Sequence, residues 1–208
     1  MLTLGVTILA SLFSVVNPLG AIPMFLSLTA DYTPQERNKT SLLTSIYFVL
    51  ILMSFFWAGT YILGFFGVSI PALRAAGGLV ILMSGFALLS GNMAKRRIGD
   101  KVKQEAMEKE DVSFTPMAMP MLSGPGSISL LIGYFASYSD LHSKLIIASV
   151  IVLTGLIIYV ILRFSPLLFN FLGQAGLKAV ARIMGFIVLA IGIEYIVSGI
   201  LQLSKLHW

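Results

Sequence analysis

Long apolar stretches separated by short polar connections run through the whole chain, and they predict six membrane-spanning helices. Crossing the hydrocarbon core of a bilayer takes about 20 largely apolar residues in helical conformation. Six stretches meet this requirement, at residues 4–28, 42–65, 73–91, 115–136, 145–169 and 181–203. The pattern predicts an all-α integral membrane protein, in which Pro and Gly motifs break the first and fourth transmembrane helices.

A polar run at residues 92–113 divides the six predicted helices into two groups of three. It contains six Lys or Arg and five Asp or Glu residues, and mixed charge runs of this kind are usually solvated. We therefore expect one membrane domain in three parts: a first three-helix repeat at 1–91, a charged cytoplasmic linker at 92–114 and a second three-helix repeat at 115–208.

Similar motifs recur in the two halves. The sequence Arg-Ala-Ala-Gly that begins at Arg74 recurs as Arg-Ile-Met-Gly at Arg182, an offset of 182 − 74 = 108. Pro-Leu-Gly-Ala-Ile at Pro18 recurs, one residue shorter, as Pro-Gly-Ser-Ile at Pro125, an offset of 125 − 18 = 107. Because three spans is an odd number, the second half must enter the membrane from the opposite face. The count predicts an inverted repeat, an architecture of many secondary transporters.

The composition agrees with a membrane protein and excludes cysteine chemistry. Of the 208 residues, 57% are hydrophobic and only 11% are charged, with a mean hydropathy of +0.93, whereas soluble domains carry about 25% charged residues. There is no Cys, which excludes disulfides, thiolate metal ligands and cysteine nucleophiles. The net charge of +5 comes from cations beside apolar spans, which set orientation, so nucleic-acid binding is not expected.

The distribution of Lys and Arg predicts the orientation of the chain. With six spans both termini lie on one face, together with three cations, Arg74, Lys144 and Lys205. The other face carries eleven: Arg37, Lys39, Lys95, Arg96, Arg97, Lys101, Lys103, Lys109, Arg163, Lys178 and Arg182. The positive-inside rule places the eleven in the cytoplasm, so both termini are expected outside.

The two predicted helix breaks occupy matching positions of the repeat. They comprise Asn17, Pro18 and Gly20 in the first helix, and Ser123, Gly124, Pro125, Gly126 and Ser127 in the fourth. Proline lacks an N–H and clashes with the carbonyl four residues earlier, and the residue before a proline is pushed toward extended backbone. Non-helical backbone at membrane depth is tolerated only where it is buried in protein or lines a wet cavity.

These breaks predict a substrate site made of exposed backbone. A half-helix that begins after Pro18 or Pro125 would direct free N–H groups and the positive end of its dipole toward the midplane. A zwitterion would place its carboxylate near Gly126 and Ser127 and its ammonium near the carbonyls of Val16 and Asn17. Further side-chain donors and acceptors would come from Ser123 and Ser129. The alternative interpretation is a pair of proline kinks without a ligand.

Three ionisable residues are candidates for coupling or gating. Glu194 is the only acidic residue within a predicted span, and ionisable groups at that depth are functional hypotheses by default. By the offset of 108 its repeat mate is Phe86, so it breaks the symmetry. Arg74 and Arg182 begin the third and sixth spans. The alternative for Glu194 is a structural position at the outer membrane interface. The alternative for the two arginines is that their side chains extend to the lipid headgroups.

No constellation typical of an enzyme is present, so catalysis is not expected. The chain has no Ser-His-Asp set, no phosphate loop, and no His with a metal-ligand partner at useful spacing. No cofactor is expected beyond Na+ or H+ as a coupling ion. The Gly residues of spans three and six (Gly77, Gly78, Gly85, Gly185 and Gly192) are expected to pack helices closely.

Five motifs together resemble the MarC family of bacterial and archaeal inner-membrane proteins. They are Asn-Pro-Leu-Gly-Ala-Ile-Pro from Asn17, Arg-Asn-Lys from Arg37, and the runs 67–78, 119–128 and 182–199. The resemblance covers almost the whole chain. It implies a location in the cytoplasmic (inner) membrane and Na+- or H+-driven transport of small neutral amino acids such as glycine and alanine.

The resemblance also carries over site positions, namely Asn17, Pro18, Gly20, Gly124, Pro125 and Gly126. Ser123 stands where relatives often carry Ala, and Glu194 stands where many carry Gln, so an acid at that position is not implied to be required. The expected function is alternating-access transport. The alternatives are an exporter of drugs or other small solutes, and a structural or regulatory membrane protein. The chain is also a candidate for a homo-oligomer.

Overall fold

Every regular element in the described part of the chain is helical. The computed structural model describes residues 2–90 and 111–206, so most of the predicted linker at 92–114 lies outside the described residues. The α-helices are α1 (Leu2–Val16), α2 (Pro18–Leu28), α3 (Pro34–Phe65), α4 (Ile70–Leu89), α5 (Pro125–Ser137), α6 (Leu141–Arg163) and α7 (Ser165–Leu206), and an irregular π-type segment (Ser113–Leu122) precedes α5.

Five helical stretches are long and apolar enough to cross a membrane. By length and composition they are Leu2–Leu28, Pro34–Phe65, Ile70–Leu89, Leu141–Arg163 and Ser165–Lys205. They correspond to the first, second, third, fifth and sixth predicted spans. The fourth predicted span, residues 115–136, is not one helix, because it is divided between the irregular segment and the 13-residue α5. The structure is therefore that of an integral membrane protein, and five helical stretches among the described residues are each long enough to cross a membrane alone.

Local capping chemistry determines where the long helices begin. Thr33 and Glu36 form a reciprocal capping box at the start of α3, and Pro34 occupies its first turn. Ser69 caps α4 by accepting a hydrogen bond from the N–H of Ala72. Asp140 caps α6 by accepting one from the N–H of Ser143 at 2.7 Å, and this bond holds the pKa of Asp140 below its ordinary value. Each cap satisfies a backbone donor that the first helical turn leaves free.

The boundary between the last two spans differs from the predicted one. The predicted spans 145–169 and 181–203 leave residues 170–180 as the connection between them, but α6 already ends at Arg163 and the helical chain resumes at Ser165. The long helix α7 is interrupted at Gly173, where φ is 64° and ψ is 176°. This conformation is open to glycine because it has no Cβ. The run that follows, Gln-Ala-Gly-Leu-Lys-Ala, is rich in good helix formers, so the chain is helical again after Gly173, and the interruption lies within the connection predicted at 170–180.

Glycines let α4 and α7 approach each other closely along their length. A Cβ on Gly78 would lie 2.8 Å from the carbonyl oxygen of Gly192, and one on Gly85 would lie 2.9 Å from that of Gly185. A Cβ on Gly199 would lie 2.7 Å from the carbonyl oxygen of Pro71. Positions rise on α4 as they fall on α7, so the two helices are antiparallel. Backbone contact of this kind stabilises membrane helix pairs by close packing.

The short helix α5 is the centre of the bundle. It contacts α1, α3 and α4, and its residues Leu130 and Leu131 are fully buried. Gly77 faces it, because a Cβ there would collide with Ser129. Around it, Phe48 and Phe56 of α3 and Leu12 of α1 belong to the same buried cluster. A helix too short to span a membrane by itself is thus surrounded by longer ones.

We predict that Gly192→Val destabilises the protein by roughly 1–3 kcal/mol, the usual cost of overpacking. The new side chain would meet the backbone of Leu82 and Gly78 on α4. Gly64→Val is the matched control, because a Cβ at Gly64 has no atom within 4 Å. The measurement is the melting temperature of purified protein in detergent. Equal melting temperatures for the two variants would contradict the close packing of α4 and α7.

Candidate functional site

The first helix breaks at Asn17, directly before Pro18. Asn17 has φ 49° and ψ 65°, a left-handed conformation that Asn tolerates better than most residues. Its side-chain oxygen accepts a hydrogen bond from the N–H of Gly20 at 3.3 Å, so it caps α2. Because Pro18 has no N–H, it cannot bond the carbonyl of Ser14 as a helical residue would. Pro23, by contrast, lies inside α2 without ending it.

The second break lies at Ser123 and Gly124. Gly124 is extended, with φ −80° and ψ 170°, as expected for a residue before proline. The helix α5 begins at Pro125, and its N-cap makes no side-chain hydrogen bond. The N–H groups of Gly126 and Ser127 therefore have no intrahelical acceptor. The hydroxyl of Ser127 donates to the carbonyl of Gly124 at 2.9 Å. The hydroxyl of Ser123 is buried and has no partner in the described part of the chain.

The segment that leads into this break is irregular because of its prolines. Thr115 and Met119 are extended, with φ −123° and −133°, and each precedes a proline. Two hydrogen bonds span five residues instead of four: Met117 N–H to Val112 at 3.3 Å and Ser123 N–H to Ala118 at 2.8 Å. Met117 and Ala118 are fully buried. Of the two extended residues, Thr115 is half-buried and Met119 is 37% exposed, so protein encloses this non-helical backbone only in part.

A cavity of about 320 Å³ opens at the N-terminus of α5. Its lining consists of Val15, Val80, Ser84, Pro120, Leu122, Gly124, Pro125, Gly126 and Ser127. The structure therefore brings together four of the site residues predicted from the second break. The uncapped N–H groups of a helix N-terminus, with the positive end of the helix dipole, form a place where a carboxylate can bind.

The first break contributes to this cavity only through the end of α1. Val15 is part of the lining, whereas Asn17, Pro18 and Gly20 are not. Asn17 is 1% exposed, and its side chain is directed to its own helix. Ser123 is buried beside the cavity but does not line it. The two breaks are therefore unequal: the N-terminus of α2 is capped, and that of α5 is open.

Sequence reasoning missed the contribution of α4. Val80 and Ser84 line the cavity, and the hydroxyl of Ser84 donates to the carbonyl of Val80 at 3.0 Å. Ser84 is the only polar side chain of α4 beyond Arg74. The sequence therefore contained one indication that α4 contributes to the site, a single hydroxyl within an apolar span. That it faces α5, however, depends on how the two helices pack.

The three ionisable candidates lie away from the cavity. Glu194 and Arg182 are exposed, and Glu194 lines a separate groove on α7 with Lys205. Arg74 contacts the far end of α5, where its Nη2 donates to the carbonyl of Gly133 at 3.2 Å and to the hydroxyl of Ser137. A cation at the C-terminus of a helix stabilises it. A coupling or gating role for these residues stays a prediction.

Two further hydrogen bonds fix α5 to its neighbours. The hydroxyl of Tyr195 on α7 donates to the carbonyl of Leu130 at 3.0 Å. The hydroxyl of Ser129 donates to the carbonyl of Leu73 on α4 at 3.3 Å. Ser129, predicted as a possible substrate donor, is therefore engaged between helices. Together with Arg74, these bonds hold the helix whose other end forms the cavity.

We predict that Asn17→Ala destabilises the protein by about 1–2 kcal/mol, because it removes the cap of α2 and leaves a residue with a Cβ in a left-handed conformation. Asn17→Gly is the matched variant, because it removes the same side chain and keeps φ 49° accessible. Melting temperatures in detergent compare the two. If glycine were as damaging as alanine, the left-handed conformation at Asn17 would be refuted.

The sequence matches a known family along almost its whole length. The family model described as MarC family integral membrane protein matches residues 2–204. The chain is 35% identical to the UPF0056 membrane protein YhcE of Escherichia coli (strain K12), over 91% of this chain and 88% of that protein. It is 35% identical to a UPF0056 membrane protein of Methanocaldococcus jannaschii, over 92% of this chain and 93% of that protein.

A third relative carries the family name. The chain is 32% identical to the UPF0056 inner membrane protein MarC of Escherichia coli O1:K1 / APEC, over 96% of this chain and 95% of that protein. No solved structure matches the chain at a significant level. Bacterial inner-membrane proteins and an archaeal protein are thus among the relatives. The chain belongs to the MarC family of integral membrane proteins.

Proposed function

We propose that this protein is a secondary transporter that moves small neutral amino acids across the cytoplasmic membrane by alternating access, without covalent chemistry. The observation that carries this proposal is the cavity at the open N-terminus of α5. Its volume of about 320 Å³ lies at the lower end of the range of about 300–1,000 Å³ that is typical of drug-sized ligand pockets. A cavity of this size has room for a small amino acid.

The arrangement of backbone groups supports a zwitterionic substrate. The substrate carboxylate would accept hydrogen bonds from the N–H groups of Gly126 and Ser127, which the helix leaves unpaired. The ammonium group of the substrate would bind toward the carboxyl end of α1, where Val15 is part of the cavity lining. The negative end of the α1 dipole favours a cation there. Apolar Val80 and Leu122 limit the remaining space.

The contacts between α4 and α7 support the proposed inverted repeat. Gly78 and Gly85 of α4 face Gly192 and Gly185 of α7, so these two helices run in opposite directions. The matching Arg74 and Arg182 motifs, 108 residues apart, lie on these same two helices. Antiparallel packing of corresponding helices is the arrangement that a two-fold axis in the membrane plane requires. The starts of α2 and α5, at Pro18 and Pro125, are 107 residues apart.

Orientation and coupling are part of the proposal. The excess of Lys and Arg near Arg37 and Arg163 supports a cytoplasmic location of that face and external termini. A neutral zwitterion needs an accompanying charge before its transport responds to the membrane potential. Na+ or H+ would supply it, and Glu194, Arg74 and Arg182 are the candidates for coupling or gating.

We expect purified protein in proteoliposomes to accumulate labelled glycine and alanine when a proton or sodium gradient is imposed. Each gradient is applied alone, so that the coupling ion is identified by the one that drives uptake. Vesicles without protein, and vesicles with both gradients collapsed by ionophores, are the controls. Absence of gradient-dependent uptake of both amino acids would refute the proposed substrate class.

A second prediction tests whether the cavity is the substrate site. Ser84→Leu should reduce uptake at least tenfold, because the larger side chain fills space beside Gly126 and Ser127. Ser54→Leu is the matched control: Ser54 also donates to the carbonyl four residues earlier, at 2.8 Å, but is exposed. Initial uptake rates are compared at equal amounts of folded protein. Normal uptake by Ser84→Leu would exclude this cavity as the site.

A further inference from the structure

The seam between α3 and α6 contains two adjoining depressions that lie outside the proposed transport cavity. The first is a cleft of about 310 Å³ at the start of α3 and the end of α6, lined by Arg37, Asn38 and Arg163 together with Phe164 and two prolines. Both helices are long enough to span a membrane. The cleft therefore lies at one membrane face.

Among the described residues, no carboxylate forms an ion pair with the two arginines of the cleft. Arg37 is held in place by Thr29, to whose hydroxyl its Nε donates at 3.2 Å and to whose carbonyl its Nη2 donates at 2.7 Å. Arg163 donates from Nη1 to the hydroxyl of Tyr159. The neighbouring carboxylate of Glu36 instead accepts hydrogen bonds from Thr33. Within the described ranges, the partners of the two guanidinium groups are thus neutral oxygens.

The second depression is an apolar groove of about 280 Å³ that continues along the same seam. Leu42, Ile46 and Leu50 of α3 form one wall, and Val152 and Leu156 of α6 form the other. All five are exposed side chains. A groove of this kind on the surface of a membrane-spanning helix pair faces lipid hydrocarbon.

Tyr159 joins the two depressions. Tyr159 lines the apolar groove, and its hydroxyl donates to the side-chain oxygen of Asn38 at 3.3 Å while accepting from Arg163. Arg163 lies 11 positions after Val152 on α6, a rise of about 16 Å at 1.5 Å per residue. One leaflet contributes about 15 Å to the hydrocarbon core. The seam therefore has the depth of one leaflet, with its cationic end at the headgroups.

We propose that this seam binds one anionic phospholipid, with its phosphate at Arg37 and Arg163 and an acyl chain in the apolar groove. Guanidinium groups bind phosphate through strong, directional hydrogen bonds, and basic pockets beside transmembrane helices are typical sites for anionic headgroups. Asn38 adds an amide beside the phosphate position. The site does not depend on the proposed transport function.

Charge also argues against a second copy of the chain as the occupant. Two copies inserted in the same orientation and related by a two-fold axis would bring the same surface together at the same depth. Arg37 and Arg163 of one copy would then face those of the other, and no carboxylate of the described residues pairs with them. An anionic lipid complements the cleft, whereas an identical surface repels it.

The test is the thermal stabilisation of purified protein in non-ionic detergent by dioleoyl phosphatidylglycerol. We expect a saturable rise in melting temperature that dioleoyl phosphatidylcholine and inorganic phosphate do not reproduce. Arg163→Gln should weaken the apparent affinity for phosphatidylglycerol on the order of tenfold, as expected for the loss of a charged hydrogen bond. Lys178→Gln, which removes an exposed cation from α7 outside the cleft, should not change it.

Two other variants test the proposal if Arg163→Gln does not fold. Arg163→Lys keeps the charge and should retain part of the affinity, and Val152→Trp should weaken binding by filling the groove. Equal stabilisation by the two lipids, or full stabilisation by inorganic phosphate alone, would overturn the proposal. A dimer interface at the seam would overturn it as well. In that case light scattering would show a dimer that Leu156→Trp disrupts, and phosphatidylglycerol would not change the melting temperature.

Discussion

The structure depends on the need of every backbone N–H and C=O within a membrane to find a partner inside the protein. Pro18 and Pro125 remove donors in the middle of two apolar stretches, so the chain cannot leave these points facing lipid. The first break is enclosed: Asn17 and Pro18 are buried, and Asn17 turns its side chain back onto α2. The second break is enclosed only in part, because α1, α3 and α4 contact α5 and Gly126 is buried, whereas Pro125 is exposed. The cavity occurs at this second break, which is not capped.

The two breaks show how one side chain decides between a closed and an open backbone. Both are followed by a helix that begins with proline. Asn17 carries an amide that caps its helix, whereas Gly124 has no side chain to do so. The N-terminus of α5 is consequently open, so the two breaks match in sequence position but differ in their free backbone donors. The proposed carboxylate site is the direct consequence of that difference.

The close contact of α4 and α7 and the bonds to α5 have a common effect on the site. Glycines bring the backbones of α4 and α7 together, and this places Ser84 and Val80 against the start of α5. Arg74 and Tyr195, on the same two helices, bind carbonyls of α5. A motion of α4 against α7 would therefore move the wall of the cavity and the hold on α5 together, as the proposed alternating access requires.

The sequence by itself determined the helical class, the positions of Asn17–Pro18 and Gly124–Pro125 as breaks, and the packing glycines, because proline, glycine and apolar length act locally. It did not determine that Asn17 would close its own helix, that Ser84 would complete the cavity, or that Glu194 would lie outside it. Nor could it show that α7 begins at Ser165. These features depend on which faces of distant helices meet, and in a membrane those faces are selected by close packing and interhelical hydrogen bonds rather than by hydrophobic pattern.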